Sequence, residues 1–332
     1  MSLSVVSGNE ARKTARQNRF SRWHRKDEPV EAPNGEFAFQ RLRQPFFTPL
    51  IQPTIQIQRS DNLFAIGSCF ARGIEKALLA RKMFVLSAAP EFSSFATVNA
   101  QVTGLGFTNK YNTFSILNEL RWALDPSATF PEESLADLEG GFCYDPHINP
   151  VLPLADRKET VRRRSILTEV NSRVRDCRVL IITLGLVELW RDTEADLMIN
   201  TTPPQEAMSR YPGRYEFRVS NFAENFQNLE RVHALLKQFG HPDSQVIVTV
   251  SPVPLMATFT DQDVVVANTF SKSLLRTVAQ EWEAAHSNVH YFPSYEMVVN
   301  SARSVAWLED LRHVQGSLVN HIMDTFLNHY VA

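Results

Sequence analysis

The sequence contains few of the features that mark secreted, membrane-spanning or disulfide-stabilised proteins. Only three cysteines occur in 332 residues, Cys69, Cys143 and Cys177, and no two of them form a C-x-x-C pair. This argues against a disulfide framework or a zinc–thiolate site and favours a reducing compartment. The longest apolar run, around residues 179–187, is about half the length of a membrane helix. Because the first residues are also too polar for a secretory signal, we expect a cytoplasmic protein without a transmembrane segment.

The sequence also has little net charge and no complete cofactor motif. Its 34 Lys and Arg residues nearly balance 36 Asp and Glu residues, so nothing in the overall charge attracts nucleic acid. His286 and His290 have helical metal spacing but no nearby third ligand. Gly104 and Gly106 form only a fragment of a dinucleotide fingerprint. We predict no metal site, no bound cofactor and no nucleic-acid partner.

One region departs from this balance of charge. Residues 10–26 contain seven basic residues and one acidic residue, and a segment with Pro and Glu follows. We predict a flexible arm over residues 1–45 and a single domain over residues 46–332. The basic run 10–26 either contacts an anionic surface or is solvated and disordered, and disorder is the commoner outcome for such a run.

After residue 45, short apolar runs alternate with helical patterns. The strand candidates are continuously apolar, as in a parallel sheet covered on both faces. They are residues 63–66, 83–86, 179–184, 245–250 and 289–292. The helical patterns are residues 70–82, 114–124, 158–176, 222–239, 264–285 and 316–330. The alternation predicts a three-layer α/β/α fold with a parallel sheet of about five strands, which binds ligands outside the carboxyl ends of its strands.

Two long excursions, residues 125–157 and 191–220, interrupt this alternation and are rich in proline. Irregular stretches of this length are usually lids, binding loops or disordered segments. Aromatic residues recur in both excursions, which favours lids.

A candidate nucleophile follows the first apolar strand. The strand ends at Gly67, Ser68 and Cys69 come next, and a helical pattern begins. A helix N-terminus favours negative charge, lowers the pKa of a thiol and stabilises an oxyanion. The structural alternative is that Gly67 makes the turn, Ser68 caps the helix and Cys69 packs. The local pattern alone does not decide between them.

A candidate general base lies just before the last helical pattern. His313 follows Asp310 by three residues, so the chain can turn back and let the carboxylate hold one ring nitrogen. The other nitrogen then faces a nucleophile. Because this segment follows the last predicted strand, we expect His313 on the same sheet edge as Gly67, within hydrogen-bond reach of Ser68 or Cys69.

Together these segments resemble the GSCFA family, a branch of the SGNH hydrolase-like group. The five-letter motif is present unchanged at residues 67–71. The resemblance covers most of residues 45–332 and includes, in order, residues 111–116 (YNTFSI), 144–146 (YDP), 183–190 (TLGLVELW), 251–254 (SPVP) and 291–296 (YFPSYE).

The resemblance implies a flavodoxin-like sheet with a nucleophile after the first strand. It also implies that Asp310 orients His313 and that His313 activates the nucleophile. A gapless match of the wider group's Gly-Asp-Ser places Cys69, not Ser68, in the position of the serine, whereas a shift of one residue restores Ser68. We favour Cys69, because a helix N-terminus suits a thiolate and a cysteine needs less help from a base.

The sequence departs from the wider group at the oxyanion-binding asparagine, which is matched by Val187. Valine has no side-chain donor, and losing one such donor typically costs about 10²–10³ in rate. The remaining candidates for binding the oxyanion or the substrate are the backbone N–H groups of residues 67–70, which include Gly67, together with Gly106 and with Asn112 in the loop that follows it. Glu188 either binds substrate hydroxyls or caps a neighbouring loop.

The function implied by the resemblance is ester hydrolysis or O-acyl transfer through a covalent acyl-enzyme. The implied substrate is a carbohydrate or polysaccharide, and a transferase would use an acyl donor such as acetyl-CoA. The alternative is a catalytically silent domain that binds a glycan, an acyl carrier or a protein partner through the same cleft. Val187 favours the silent domain, whereas the joint presence of Cys69, Asp310 and His313 favours the enzyme.

Overall fold

The computed structural model describes residues 5–27, 29–30, 35–95 and 106–332. The chain divides into two compact units. The sheet unit comprises residues 57–292, and the terminal unit comprises residues 1–56 with residues 293–332. The sequence alone does not reveal this pairing of the two ends of the chain. Within the described ranges, no helix is both long and apolar enough to cross a membrane.

The sheet unit is built on a parallel sheet. Its strands in chain order are β1 (Asn62–Gly67), β2 (Phe84–Val85), β3 (Ala136–Asp137), β4 (Cys143–Tyr144), β5 (Val179–Leu184), β6 (Glu188–Asp192), β7 (Leu197–Ile199), β8 (Tyr215–Val219), β9 (Gln245–Val250) and β10 (Val289–Tyr291). Five of them form one parallel sheet in the order β10-β9-β5-β1-β2. Every residue of the central strand β5 is buried, as its continuous apolar sequence predicts. The predicted α/β fold is confirmed.

The helices follow the predicted alternation closely. In chain order they are α1 (Gly8–Gln17), α2 (Ala38–Arg41), α3 (Cys69–Ala80), α4 (Thr113–Leu124), α5 (Arg157–Ser172), α6 (Gln205–Arg210), α7 (Phe222–Phe239), α8 (Val264–Ala285), α9 (Ser294–Val299), α10 (Arg303–Ala306) and α11 (Gly316–Tyr330). The bounds of α7, α8 and α11 agree with the sequence prediction. The short helices α2, α6, α9 and α10 were not predicted, because four to six residues do not show a helical period.

The order of the parallel strands determines where the winding of the chain changes direction. From β1 the chain passes through α3 to β2 on one side, and it later returns to β5 on the other side of β1. Because crossovers are right-handed, α3 covers one face of the sheet and the helices before β5, β9 and β10 cover the other. The direction of winding reverses between β1 and β5, and ligands of such sheets bind at this reversal, outside the carboxyl ends of the strands.

Both excursions are folded and pack against each other. β3 and β4 form an antiparallel pair, and β7, β6 and β8 form a three-stranded antiparallel sheet. Ala136, Leu138 and Tyr144 of the first excursion share a small core with Ala207 of the second, flanked by Tyr211. A role as lids stays a prediction.

The terminal unit joins the N-terminal segment to the turn after α9 and to α11. Phe47 is buried, and its N–H donates to Ser301 Oγ at 2.9 Å. Thr48 Oγ1 lies 2.8 Å from His321 Nε2 on α11. By contrast, α1 buries none of its residues and is stabilised by a capping box between Ser7 and Glu10. Part of the predicted flexible arm is therefore a helix, and a flexible attachment of that helix stays a prediction.

Candidate active site

The turn after β1 is possible only because residue 67 is glycine. Gly67 has φ +135°, a conformation that side chains rarely adopt. A Cβ atom at this position would lie 2.8 Å from Thr183 N, 2.5 Å from Thr183 Oγ1 and closer still to the Thr183 carbonyl oxygen. Gly67 thus allows the turn to approach β5 at the reversal point of the sheet.

Ser68 is the N-cap of α3, as the structural alternative predicts. It is only 3% exposed, and its Oγ accepts from the Phe70 N–H at 3.4 Å. The same oxygen lies 3.2 Å from Thr183 Oγ1, and the Ser68 N–H donates to the Thr183 carbonyl at 3.2 Å. Both the hydroxyl and the amide of Ser68 are therefore engaged with β5 and with the first turn of α3.

Cys69 is the first residue of α3 and is partly exposed. Cys143 and Cys177 are buried, and burial raises the pKa of the Cys143 thiol to about 11 and that of Cys177 to about 12. All three cysteines lie in the described ranges, and none forms a disulfide. Of the three thiols, only that of Cys69 combines access to solvent with a helix N-terminus.

Asp310 and His313 form the predicted pair in the loop before α11. His313 Nδ1 lies 2.5 Å from Asp310 Oδ2, and the N–H groups of His313 and Arg312 each donate to Asp310 Oδ1 at 3.0 Å. The His313 N–H and then its ring hold the pKa of the Asp310 carboxyl well below its usual range. The tight loop places Leu311 at φ +52°, which is unusual for a residue with a side chain.

Arg312 fixes the tautomer of His313. Its guanidinium lies 3.2 Å from His313 Nε2, and a guanidinium can only donate. Nε2 therefore accepts, and the proton of the neutral ring sits on Nδ1, facing Asp310. This is the tautomer that a general base requires, although Arg312 must release Nε2 before that nitrogen can take a proton.

The amino-acid pattern that contains both groups of residues is shared with a known family. The model of the GSCFA family matches residues 62–326, which include the Gly67 turn and the Asp310–His313 pair. The chain belongs to the GSCFA family. A search of curated proteins found no match.

One similar solved structure is that of a carbohydrate esterase family 2 enzyme with a carbohydrate-binding domain from Corynascus thermopiles (Myceliophthora fergusii). The alignment covers 85% of this chain and 67% of that chain, with 12% identity and a TM-score of 0.31. A likeness at this level supports no conclusion about activity.

In this member of the GSCFA family, the residue matched to the oxyanion-binding asparagine and the candidate donor Asn112 both have other partners. Val187 is 1% exposed, and its N–H donates to Ser271 Oγ at 3.1 Å. Asn112 is the N-cap of α4: its Oδ1 accepts from the Ser115 N–H at 2.8 Å, and its Nδ2 donates to the Ile199 carbonyl at 3.0 Å. Through these bonds Asn112 joins α4 to β7. An oxyanion-binding role for Asn112 stays a prediction.

The other predicted binding residues also make internal contacts. Glu188 accepts from Thr258 Oγ1 at 2.6 Å and from the Phe259 N–H at 3.0 Å, which favours its role as a loop cap. The Gly106 carbonyl accepts from Asn109 N–H at 3.2 Å and from Asn149 Nδ2 at 3.0 Å. Gly104 lies outside the described residues.

The two histidines whose spacing resembles that of metal ligands, His286 and His290, lie within hydrogen-bond distance of protein side chains. His286 Nε2 lies 2.6 Å from Glu230 Oε1, and His290 Nε2 lies 3.0 Å from Gln245 Oε1. Across the described ranges, no three His, Cys, Asp or Glu side chains are placed to hold a metal ion.

Two residues beside the Gly67 turn were missed by sequence reasoning. Thr183, fully buried in β5, contacts Ser68 through both its hydroxyl and its carbonyl. The sequence feature that could have indicated Thr183 is a polar residue near the carboxyl end of an otherwise apolar strand. The backbone N–H of Lys110 donates to the Gly67 carbonyl at 2.7 Å, and no sequence pattern indicates this contact.

Proposed function

We propose that this protein is an esterase or O-acyltransferase that forms a covalent acyl-enzyme on Cys69. His313 is its general base, and Asp310 orients His313. The observation that carries the proposal is the contrast within one turn. Ser68 Oγ is buried and bonded as a helix cap, whereas the neighbouring Cys69 is partly exposed at the helix N-terminus.

The position of Cys69 suits nucleophilic attack. The positive end of the α3 dipole stabilises a thiolate, which is the reactive form of cysteine. The Asp310–His313 pair supports the assignment of the base, because its tautomer leaves the Nε2 lone pair available once Arg312 moves away. The meeting of His313 with Cys69 is part of the proposal and is tested below.

The proposed reaction has two steps. His313 takes the thiol proton, and the Cys69 sulfur adds to the ester carbonyl carbon while the carbonyl electron pair moves to oxygen. The bond to the leaving alcohol then breaks, and His313 gives that oxygen the proton, leaving a thioester. Water or an acceptor hydroxyl attacks the thioester and gives its proton to His313. The C–S bond then breaks, and His313 returns that proton to the leaving sulfur, which restores the thiol and the free base.

The proposed substrate is an ester of a carbohydrate hydroxyl, with water or a second hydroxyl as acceptor. The support for this substrate class is the family resemblance. An acyl donor such as acetyl-CoA fits the same chemistry, because a thioester exchanges directly with the Cys69 thiolate.

A second candidate function is binding without catalysis, by a domain that takes a glycan, an acyl carrier or a protein. The observation that favours it is Val187, whose side chain has no donor and whose N–H is bonded to Ser271. A site with one oxyanion donor fewer would lose about 10²–10³ in rate.

Alkylation and mutagenesis distinguish these functions. We expect iodoacetamide at neutral pH to label Cys69 faster than Cys143 and Cys177, whose raised pKa values keep them protonated and whose side chains are buried. His313→Ala should lower the Cys69 rate. Hydrolysis of p-nitrophenyl acetate and turnover of acetyl-CoA should be lost in Cys69→Ser and largely kept in Ser68→Ala.

The opposite pattern, with Ser68→Ala inactive and Cys69→Ala only impaired, would make Ser68 the nucleophile. Substitutions within one catalytic unit are not additive, so each single variant is compared with a Ser68/Cys69 double variant. Equal and mild effects in all three would exclude covalent catalysis at this turn and leave the binding function.

A further inference from the structure

The loop that carries Lys110 holds the ends of β1 and β5 together. The Lys110 N–H donates to the Gly67 carbonyl at 2.7 Å, and the next carbonyl, that of Tyr111, accepts from the Leu186 N–H at 2.8 Å. A Cβ atom at Gly185 would lie 3.1 Å from the Tyr111 carbonyl carbon and closer still to its oxygen. The loop therefore contacts the Gly67 turn and the residues after β5 through backbone atoms.

The side chain of Lys110 points away from solvent into a buried ionic cluster. Lys110 is 1% exposed, and its Nζ pairs with Glu119 Oε1 on α4 at 2.6 Å. The same ammonium donates to the His147 carbonyl. Lys110 therefore binds the Gly67 turn through its backbone, and it binds α4 and the loop after β4 through its side chain.

The cluster is balanced in charge and closed by α5. Arg164 pairs with the same Glu119 oxygen at 2.7 Å and with Asp145 Oδ2 at 2.8 Å. Asn171 Nδ2 donates to the second Glu119 oxygen at 3.0 Å. Burial alone would raise the pKa of Glu119, but the charges of Arg164 and Lys110 lower it to about 2. Two cations and two carboxylates therefore lie together in the interior.

Stability alone does not require such a cluster, because apolar residues of similar volume often stabilise a protein as well as a buried ion pair does. We infer that Lys110 is a positioning residue, whose buried ion pair sets the place of its backbone N–H and, through the Gly67 carbonyl, the position of Ser68 and Cys69. The inference rests on the proposed role of Cys69 as nucleophile.

The experiment uses the full chain and four variants. Lys110→Met removes the charge but keeps the length of the side chain, and leaves the cluster with one unbalanced carboxylate. Lys110→Met/Glu119→Gln restores the balance of charge without restoring the ion pair. Arg214→Met and Arg214→Met/Asp192→Asn are matched controls, because Arg214 and Asp192 form another buried pair at 2.7 Å.

Two readouts are measured for each variant beside the melting temperature. The first is the rate of Cys69 alkylation by iodoacetamide as a function of pH. The second is hydrogen exchange of the Ser68 amide, which is protected by its bond to the Thr183 carbonyl. The exchange readout reports on the turn whether or not Cys69 is a nucleophile.

We expect Lys110→Met to lower the melting temperature and to speed exchange of the Ser68 amide. It should also slow Cys69 alkylation roughly tenfold, because a displaced turn alters the position of Cys69 at the N-terminus of α3, where its thiolate is stabilised. The charge-balanced double variant should recover most of the melting temperature but keep the slow alkylation and the fast exchange at Ser68. The Arg214 variants should lower the melting temperature without changing either readout at the turn.

The inference is overturned if the charge-balanced variant shows wild-type alkylation and wild-type exchange, since the cluster would then contribute to stability only. It is also overturned if the Arg214 controls change both readouts as much as Lys110→Met does. If Cys69 in the wild type reacts no faster than Cys143, the proposed covalent function fails. In that case exchange at Ser68 still decides whether Lys110 positions the turn.

Discussion

Replacing Gly67 with alanine tests the geometry of the turn. The substitution adds a methyl group to a residue at φ +135° and places it 2.5 Å from Thr183 Oγ1 and 2.8 Å from Thr183 N. Strained backbone costs about 1–2 kcal/mol for a residue with a Cβ, and overpacking against atoms that cannot move costs a further 1–3 kcal/mol or so. We therefore expect a loss of about 3 kcal/mol in the free energy of unfolding.

The matched control is Gly141→Ala. Gly141 also has positive φ, +79°, but its added Cβ would meet nothing within 4 Å. It should lose only the backbone part, about 1 kcal/mol. Urea denaturation of both variants measures the difference, and a domain of this size should melt about 6 °C lower for Gly67→Ala. Equal losses in the two variants would refute the close approach of the turn to β5.

Three further predictions concern other parts of the chain. Burial lowers the pKa of His147 from 6.5 to about 4, so between these pH values the unfolded chain binds a proton that the folded chain does not. Stability should therefore fall as the pH drops through this window, by about 3 kcal/mol in all, and urea titrations of His147→Phe at pH 7 and pH 5 should show a smaller fall. Glu188→Ala should speed hydrogen exchange at residues 258–260, which Glu188 holds, whereas the exposed Glu216→Ala should not; equal exchange in both would contradict the loop-cap role. Deleting residues 1–17 should leave the melting temperature unchanged, because α1 buries no residue. Deleting residues 1–26 should lower the melting temperature, because the carbonyls of Arg22 and Trp23 accept from the N–H groups of Ala38 and Phe39. Calorimetry measures both melting temperatures, and equal values for the two deletions would contradict the prediction.

Much of the sheet could be predicted from sequence because its strands are buried on both faces. The continuous apolar runs of β5 and β9 and the long periodic patterns of α7 and α8 allow few other structures. The excursions were harder to predict, because the two-residue strands β3 and β4 are defined by contacts with distant residues and not by a local period.

In the candidate site, too, local contacts could be predicted from sequence and contacts between distant residues could not. The cap of α3 and the Asp310–His313 pair are local, with partners at most three residues apart, and both patterns were visible in the sequence. The contacts of Thr183 with Ser68 and of Lys110 with Gly67 join residues that only the folded sheet brings together. Glu188 could not be assigned from sequence for the same reason, because its partners Thr258 and Phe259 lie 70 and 71 residues away.

The most direct test of the proposed function is to locate the acyl group. The protein is incubated briefly with p-nitrophenyl acetate, quenched in acid and mapped by peptide mass spectrometry, with His313→Ala and urea-denatured protein as controls for non-specific acylation. The proposed mechanism predicts one acetyl group on Cys69 in the native wild type, and little in either control. An acetyl group on Ser68, or equal labelling of Cys69 in the native and denatured protein, would contradict it.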